Sequence, residues 1–454
     1  MRQKISQAIG RHPRIVYAVA SLAVMAGATL IFYVRNREAL SLPNFYAEDG
    51  TIIFDNILSK NPLAAITTLF NGYLVIGQYL VAYGGYVLNA VTGGSVADLA
   101  KYTAVASYVF LGTSVSLPFV LFRRQLGAWL ALLLVLVSAC VPMTNSSFAI
   151  IGTIGNLKFM FVYIAFLLIL YRNLHYQNRR AYVIDALVLV CVLTNVTVAF
   201  LLPFALWPYR KSLLGIVQRR KLHLVAQNPI LVSLLVLMVL TASYIIFVYL
   251  HGIPPLPGYL SDPYQKVATL PIIDRATTYS WFYPITDTFR AKIVIGILAI
   301  TAVVMFGYAK ASRFVVMFAL WSIAIATGLF VANRTGVSAY FLNYQHHGGP
   351  DQFFYAQNLI FIFLTFWIAR NQFKKWTVLT RGVCSAVLLL FLIWAFPFGT
   401  TFGQARNVYQ GLGTARQDVT AACRVPGAEV HVQIYPSSAW KWTAPRSEIC
   451  GDKQ

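Results

Sequence analysis

The chain has 454 residues, of which 58% are hydrophobic and only 11% charged. That balance excludes a disordered chain and an ordinary soluble globule. The formal charge of +22 invites a nucleic-acid partner, but its placement along the chain, set out below, excludes that class.

Apolar runs of about twenty residues recur throughout, the length that a bilayer-spanning helix needs. Residues 1–14 carry Arg2, Lys4, Arg11 and Arg14 and no acid, so they are expected to stay in the cytoplasm. Residues 15–34 form the first span. The run is too long for a signal h-region, and Arg35 and Arg37 stand where cleavage needs small residues. Residues 35–101 are a first outer loop. Its second apolar segment, residues 71–91, carries Asn71, Gln78 and four tyrosines. Counting it as a span would put Arg123, Arg124 and the run Arg219, Arg220, Lys221 on the wrong side, so it reads as an interfacial or re-entrant helix.

Residues 102–121 run inward and 126–142 outward. Residues 144–156, TNSSFAIIGTIGN, are a polar outer turn, and 157–171 return inward to Arg172. Residues 182–208 are flanked by basic residues and broken at Thr194 and Asn195, with Pro203 and Pro208 near their end. They read as a half-depth hairpin entered and left on the cytoplasmic side, which is tolerated only when buried among other helices. Residues 229–250 run outward, 251–290 form a second outer loop, 292–309 return, and 314–331 leave again. Residues 333–352 are a third outer loop, 353–369 return to Arg370, Lys374 and Lys375, and 378–398 exit into an outer tail, 399–454.

This topology puts 20 of the 36 Lys and Arg residues inside with one acid, Asp185, and 13 of the 14 acids outside. The basic charge is therefore an orientation signal, and any chemistry by carboxylates belongs to the outer side. In the tail, AEVHVQIY (residues 428–435) alternates as a strand does. Cys423 and Cys450, in an oxidising compartment, are expected to bond to each other. Cys140, Cys191 and Cys384 lie in apolar runs as packing residues. No CxxC or Cys/His spacing points to zinc.

The stretch that the other segments serve is residues 42–54, LPNFYAEDGTIIF, where Glu48 and Asp49 stand side by side at the mouth of the first span. Carboxylates at a membrane rim are costly without a task. One alternative is that they cap a helix beginning near Gly50. A first span, then an acidic pair in a long outer loop with an interfacial helix, then a later hairpin: this order resembles the GT-C superfamily of membrane glycosyltransferases. The resemblance implies an all-α polytopic fold of about 11 membrane helices with a small outer C-terminal lobe. Residues 1–398 would form the catalytic domain, in a bacterial cell membrane with the N-terminus cytoplasmic and the C-terminus periplasmic or extracellular. It implies an inverting transferase that moves a sugar from a polyprenyl-phosphate carrier to a glycan, lipid or protein of the cell envelope. The implied base is Asp49 or Glu48, since an attacking hydroxyl must lose its proton.

Cations must hold the departing phosphate, and the candidates are Arg334, Arg275 and Lys158; Lys158 also reads as an interfacial lysine. Tyr46, Tyr264, Trp281, His346 and His347 are candidates for sugar or acceptor contact, or for an aromatic belt and surface. The next outer loop, residues 144–156, lacks the acid that the superfamily often carries there. No cofactor is indicated, and a divalent cation is not called for. The rival readings are an O-antigen polymerase or ligase, which relies on Arg and His, and a lipid flippase or transporter, which needs ionisable groups at mid-membrane.

Overall fold

The computed structural model describes residues 13–46, 49–70, 72–141, 150–175, 179–210, 228–251, 313–332, 354–375, 377–383, 413–434 and 441–450, and, singly or in short groups, 213, 273, 275–277, 296, 300–301, 385–386 and 390. These residues are mostly helical. In chain order come α1 (Pro13–Arg35), α2 (Ile76–Val91), α3 (Leu99–Leu126), α4 (Ala128–Ala139), α5 (Met160–Leu174) and α6 (Ala181–Val192). A 3-10 helix, Val196–Tyr209, leads on to α7 (Pro229–His251), α8 (Arg313–Ala332) and α9 (Tyr355–Lys375). A small lobe closes the described chain: α10 (Ala415–Arg424), β1 (Glu429–Gln433), β2 (Lys441–Pro445) and α11 (Arg446–Cys450).

Among the described residues, four elements are long and apolar enough to cross a membrane: α1, α7, and α3 and α5 with the 3-10 turns that precede them. α4, α6, the 3-10 helix and α8 are shorter apolar helices. The outer faces of α1 and α7 expose Val19, Leu22, Leu30, Val239, Ile246 and Leu250. So much bare apolar surface is at rest only against lipid, and the chain is a helical membrane protein.

α1 packs along α3, and the contact depends on Gly112. A Cβ there would fall 2.6 Å from the backbone nitrogen of Thr29, so only glycine permits the approach, as at other membrane helix pairs. At one end of this pair the Tyr17 hydroxyl donates to the Val120 carbonyl. At the other end Arg35 donates to the carbonyls of Ala139 and Val141, each at 2.6 Å, and so satisfies the open end of α4. α5 is the centre of the bundle. Its Phe166 meets Phe318 of α8 and Phe363 of α9, and Phe363 stacks on Trp367.

The break read at Thr194 and Asn195 separates α6 from the 3-10 helix, which Asn195 caps by accepting the Thr197 amide. The hairpin lies along α5. Its base lies beside Arg172 and its apex meets Lys158, where Asn195 Nδ2 donates to the Lys158 carbonyl at 3.0 Å. It therefore runs the length of α5. The physical reason is the geometry of the second arm: 14 residues in 3-10 form cover about 28 Å, where an α-helix would cover about 21 Å. Two proline residues inside that arm, Pro203 and Pro208, cannot donate to an α-helical ladder. The segment read as interfacial forms α2, which at 16 residues is about 24 Å long. It buries Tyr79, Ala82 and Gly85 and exposes Leu80, Val87, Leu88 and Val91.

In the lobe, Thr414 and Gln417 form a capping box at the start of α10. β1 and β2 pair antiparallel, with Val430 opposite Ala444 and Val432 opposite Trp442. These four side chains are the buried ones, as the alternation requires. Cys423 and Cys450 are joined, tying α10 to α11, whereas Cys140 and Cys191 are free thiols; Cys384 lies outside the described residues. A Cys423→Ser/Cys450→Ser variant is expected to lose about 3 kcal/mol of lobe stability. Thermal unfolding followed at Trp442 would register that loss, and an unmoved midpoint would count against it.

Candidate functional site

Asp49 opens a π-helix, Asp49–Phe54, which continues into the short helix Asp55–Ser59. π-helices are rare and frequently sit at functional sites. Asp49 is only 2% exposed. Its carboxylate crosses to the turn before α5, where Oδ2 accepts the Ile154 amide at 2.9 Å and Oδ1 the Gly155 amide at 2.6 Å. Of the two readings weighed for this residue, a proton acceptor or a local cap, neither includes that reach. Glu48 lies outside the described residues.

The partner turn is pinned from every side. Asn36 donates to the Ile151 carbonyl, and Gln78 donates to the Gly155 carbonyl at 2.6 Å. The Gly152 amide donates to Ser107, and Gly152 adopts φ +95°, a conformation that favours glycine. That this loop carries no acid is legible in the sequence; that its backbone N–H groups serve an acid from elsewhere is not, because amide direction leaves no trace in residue type.

The same segment, residues 154–158, ends at a cavity of about 430 Å³. Lys158 is the one charged side chain in its wall among the described residues. Its Nζ donates to the Tyr73 hydroxyl at 3.2 Å and lies 4.9 Å from the Phe70 ring centre, an arrangement that stabilises a cation without neutralising it. Thr194, Asn195 and Thr197, at the hairpin apex, supply polar groups to the wall. Gln357, from α9, is 2% exposed and also lines the cavity; its place there is not legible in the sequence, since one glutamine in an apolar helix carries no pattern. Val248 of α7 and Ala326 and Leu329 of α8 form an apolar wall.

The apex is brought to this point by Gly77. Its amide donates to Thr194 Oγ1 at 2.7 Å, and a Cβ there would collide with Phe161 and Thr194.

The remaining candidates divide. Tyr46 is half-buried beside Asp49 and accepts the Asp49 amide at 2.7 Å through its carbonyl. Arg275 is buried, and its carbonyl accepts from Asn358 of α9 at 2.9 Å, but it is not in the cavity wall. Arg334, Tyr264, Trp281, His346 and His347 lie outside the described residues. No cluster of metal-ligating side chains occurs among the described residues.

The cavity thus has a lysine among aromatic rings, a polar hairpin apex and an apolar wall, while Asp49 lies outside its wall and is tied to it through residues 154–158. A cavity of this size suits a small molecule or a lipid head group. No protein-family model, curated protein or solved structure matches the chain.

Proposed function

We propose that the protein is an inverting glycosyltransferase of GT-C type, with about 11 membrane helices, acting on the outer face of a bacterial cell membrane. The donor is a sugar on a polyprenyl phosphate, and the acceptor is a glycan, lipid or protein of the envelope. One observation carries this reading. The cavity has a single lysine among the described residues, a polar side and an apolar side, and it shares the segment 154–158 with the buried carboxylate.

In the proposed reaction an acceptor hydroxyl attacks the anomeric carbon from the face opposite the phosphate. The carbon–oxygen bond to the phosphate breaks, and its electron pair leaves with the lipid phosphate. The hydroxyl proton passes to a carboxylate of the Glu48–Asp49 pair. Lys158 stabilises the departing phosphate, a task shared with Arg334; Arg275, outside the cavity wall, is left to support α9 through Asn358. Tyr46, Tyr264, Trp281, His346 and His347 contribute to sugar and acceptor contact. The apolar wall at Val248, Ala326 and Leu329 suits the first units of the lipid.

The test uses purified protein in nanodiscs and a panel of synthetic polyprenyl-phosphate sugars. Lys158→Met and Glu48→Gln are each expected to lower kcat/KM by about a hundredfold. Equal turnover by both variants and the parent would defeat the assignment, and would favour a ligase or polymerase that relies on Arg and His.

A further inference from the structure

The C-terminal lobe grips the acidic stretch itself. The Ala415 amide donates to the Pro43 carbonyl at 2.8 Å, and Asn44 Nδ2 donates to the Gly413 carbonyl at 2.5 Å. Trp442, on β2, is 1% exposed. Its ring meets Phe45 edge-on at 5.3 Å, Phe45 in turn meets Phe54, and its Nε1 donates to Asp55 Oδ1 at 3.2 Å. Ile434 lies against Gly50, where a Cβ would come within 3.3 Å of it.

The π-helix is therefore held at two faces. The bundle takes Asp49 through the amides of Ile154 and Gly155, and the lobe takes Gly50 and Asp55. A π-helix has poor intrinsic stability, so its register depends on such outside anchors. The lobe is fastened again at Arg416, whose guanidinium donates to Asp98 Oδ1 at 2.6 Å, just ahead of α3. Partial burial pushes the Asp98 carboxyl up, but hydrogen bonds from Arg416 and Ser95 outweigh it and leave its pKa lowered. Arg416 is largely exposed and Asp98 only partly so, and the pair contributes little by itself. The anchoring falls mainly to Trp442.

We infer that Trp442 is a positioning residue for the acidic stretch: through Asp55 and Phe45 it fixes the π-helix that carries Asp49. The consequence for turnover rests on the glycosyltransferase reading; the consequence for the backbone does not. The experiment compares full-length protein with Trp442→Phe, which keeps a ring and removes the N–H donor, and with Trp442→Ala.

Hydrogen exchange of the amides of residues 49–57 is expected to quicken about tenfold in Trp442→Phe, with α5 unchanged. In the transfer assay kcat is expected to fall about tenfold with KM for the lipid donor unchanged. Unchanged exchange over residues 49–57 in Trp442→Phe overturns the inference, even where Trp442→Ala fails to fold. Faster exchange with an unchanged kcat would leave Trp442 as an anchor of the backbone and overturn its part in turnover. If the parent protein transfers no sugar from any donor, the glycosyltransferase reading falls, and the exchange result alone decides whether Trp442 holds the segment.

Discussion

Asp49→Asn is expected to remove transfer and to release the turn before α5, while leaving the bundle folded. Both carboxylate oxygens accept backbone N–H groups, from Ile154 and Gly155. Asparagine offers one carbonyl oxygen to two donors, and its own NH2 must face an N–H. One charge-assisted hydrogen bond is lost and a buried donor is stranded, a local penalty of about 3 kcal/mol. The same turn leads into Lys158 in the cavity wall, so the disturbance travels to the proposed phosphate site. Transfer is expected to fall at least about a thousandfold, more than for Glu48→Gln, because a proton acceptor is weakened and a cation misplaced. Exchange of the Ile154 and Gly155 amides, measured beside turnover, tests both parts. If those amides stay protected and kcat is unmoved, Asp49 has neither role.

A larger effect on stability is expected at the other end of the hairpin. Arg172 of α5 and Asp185 of α6 form a buried pair, with Nε to Oδ1 at 2.5 Å and side chains 1% and 5% exposed. Ser233 of α7 donates to Asp185, and Arg172 donates to the Ile230 carbonyl. Three helices are thereby joined at one polar knot. Arg172→Met strands a carboxylate in an apolar surround and is expected to destabilise the protein by about 3–5 kcal/mol. Arg172→Met combined with Asp185→Leu removes both charges together with the burden of their desolvation, and most of the loss is expected to return. The midpoints of thermal unfolding of the two single variants and the double variant decide this. Additive losses would mean that the ions act independently.

Much of the helical plan was legible because hydropathy is a property of residue type. The run at 15–34 became α1, residues 229–250 became α7, and the alternation at 428–435 became β1. Asp185 shows where legibility stops. The charge count marked it as the lone inner acid, yet nothing in the sequence joined it to Arg172. Lys158 was visible as a cation, but its aromatic surround comes from Phe70 and Tyr73, far off in the chain. The 3-10 form of the hairpin's second arm was not legible, because hydropathy does not distinguish an α-helical rise from a 3-10 rise. Trp442 stood in the tail as one aromatic among several, and its grip on Asp55 spans most of the chain. Contacts of that separation are made by tertiary packing, and local pattern does not encode them.

The same long reach sets a schedule for biosynthesis. During translation, residues 43–55 emerge early, while the groups that seat them, between Gly413 and Trp442, are among the later ones described. Closing so long a loop comes late in folding, so the nascent chain passes through insertion with its acidic segment still unseated. A ribosome stalled ahead of residue 413 would leave a bundle already threaded through the bilayer and lacking its finished mouth, a species for membrane quality control to recognise.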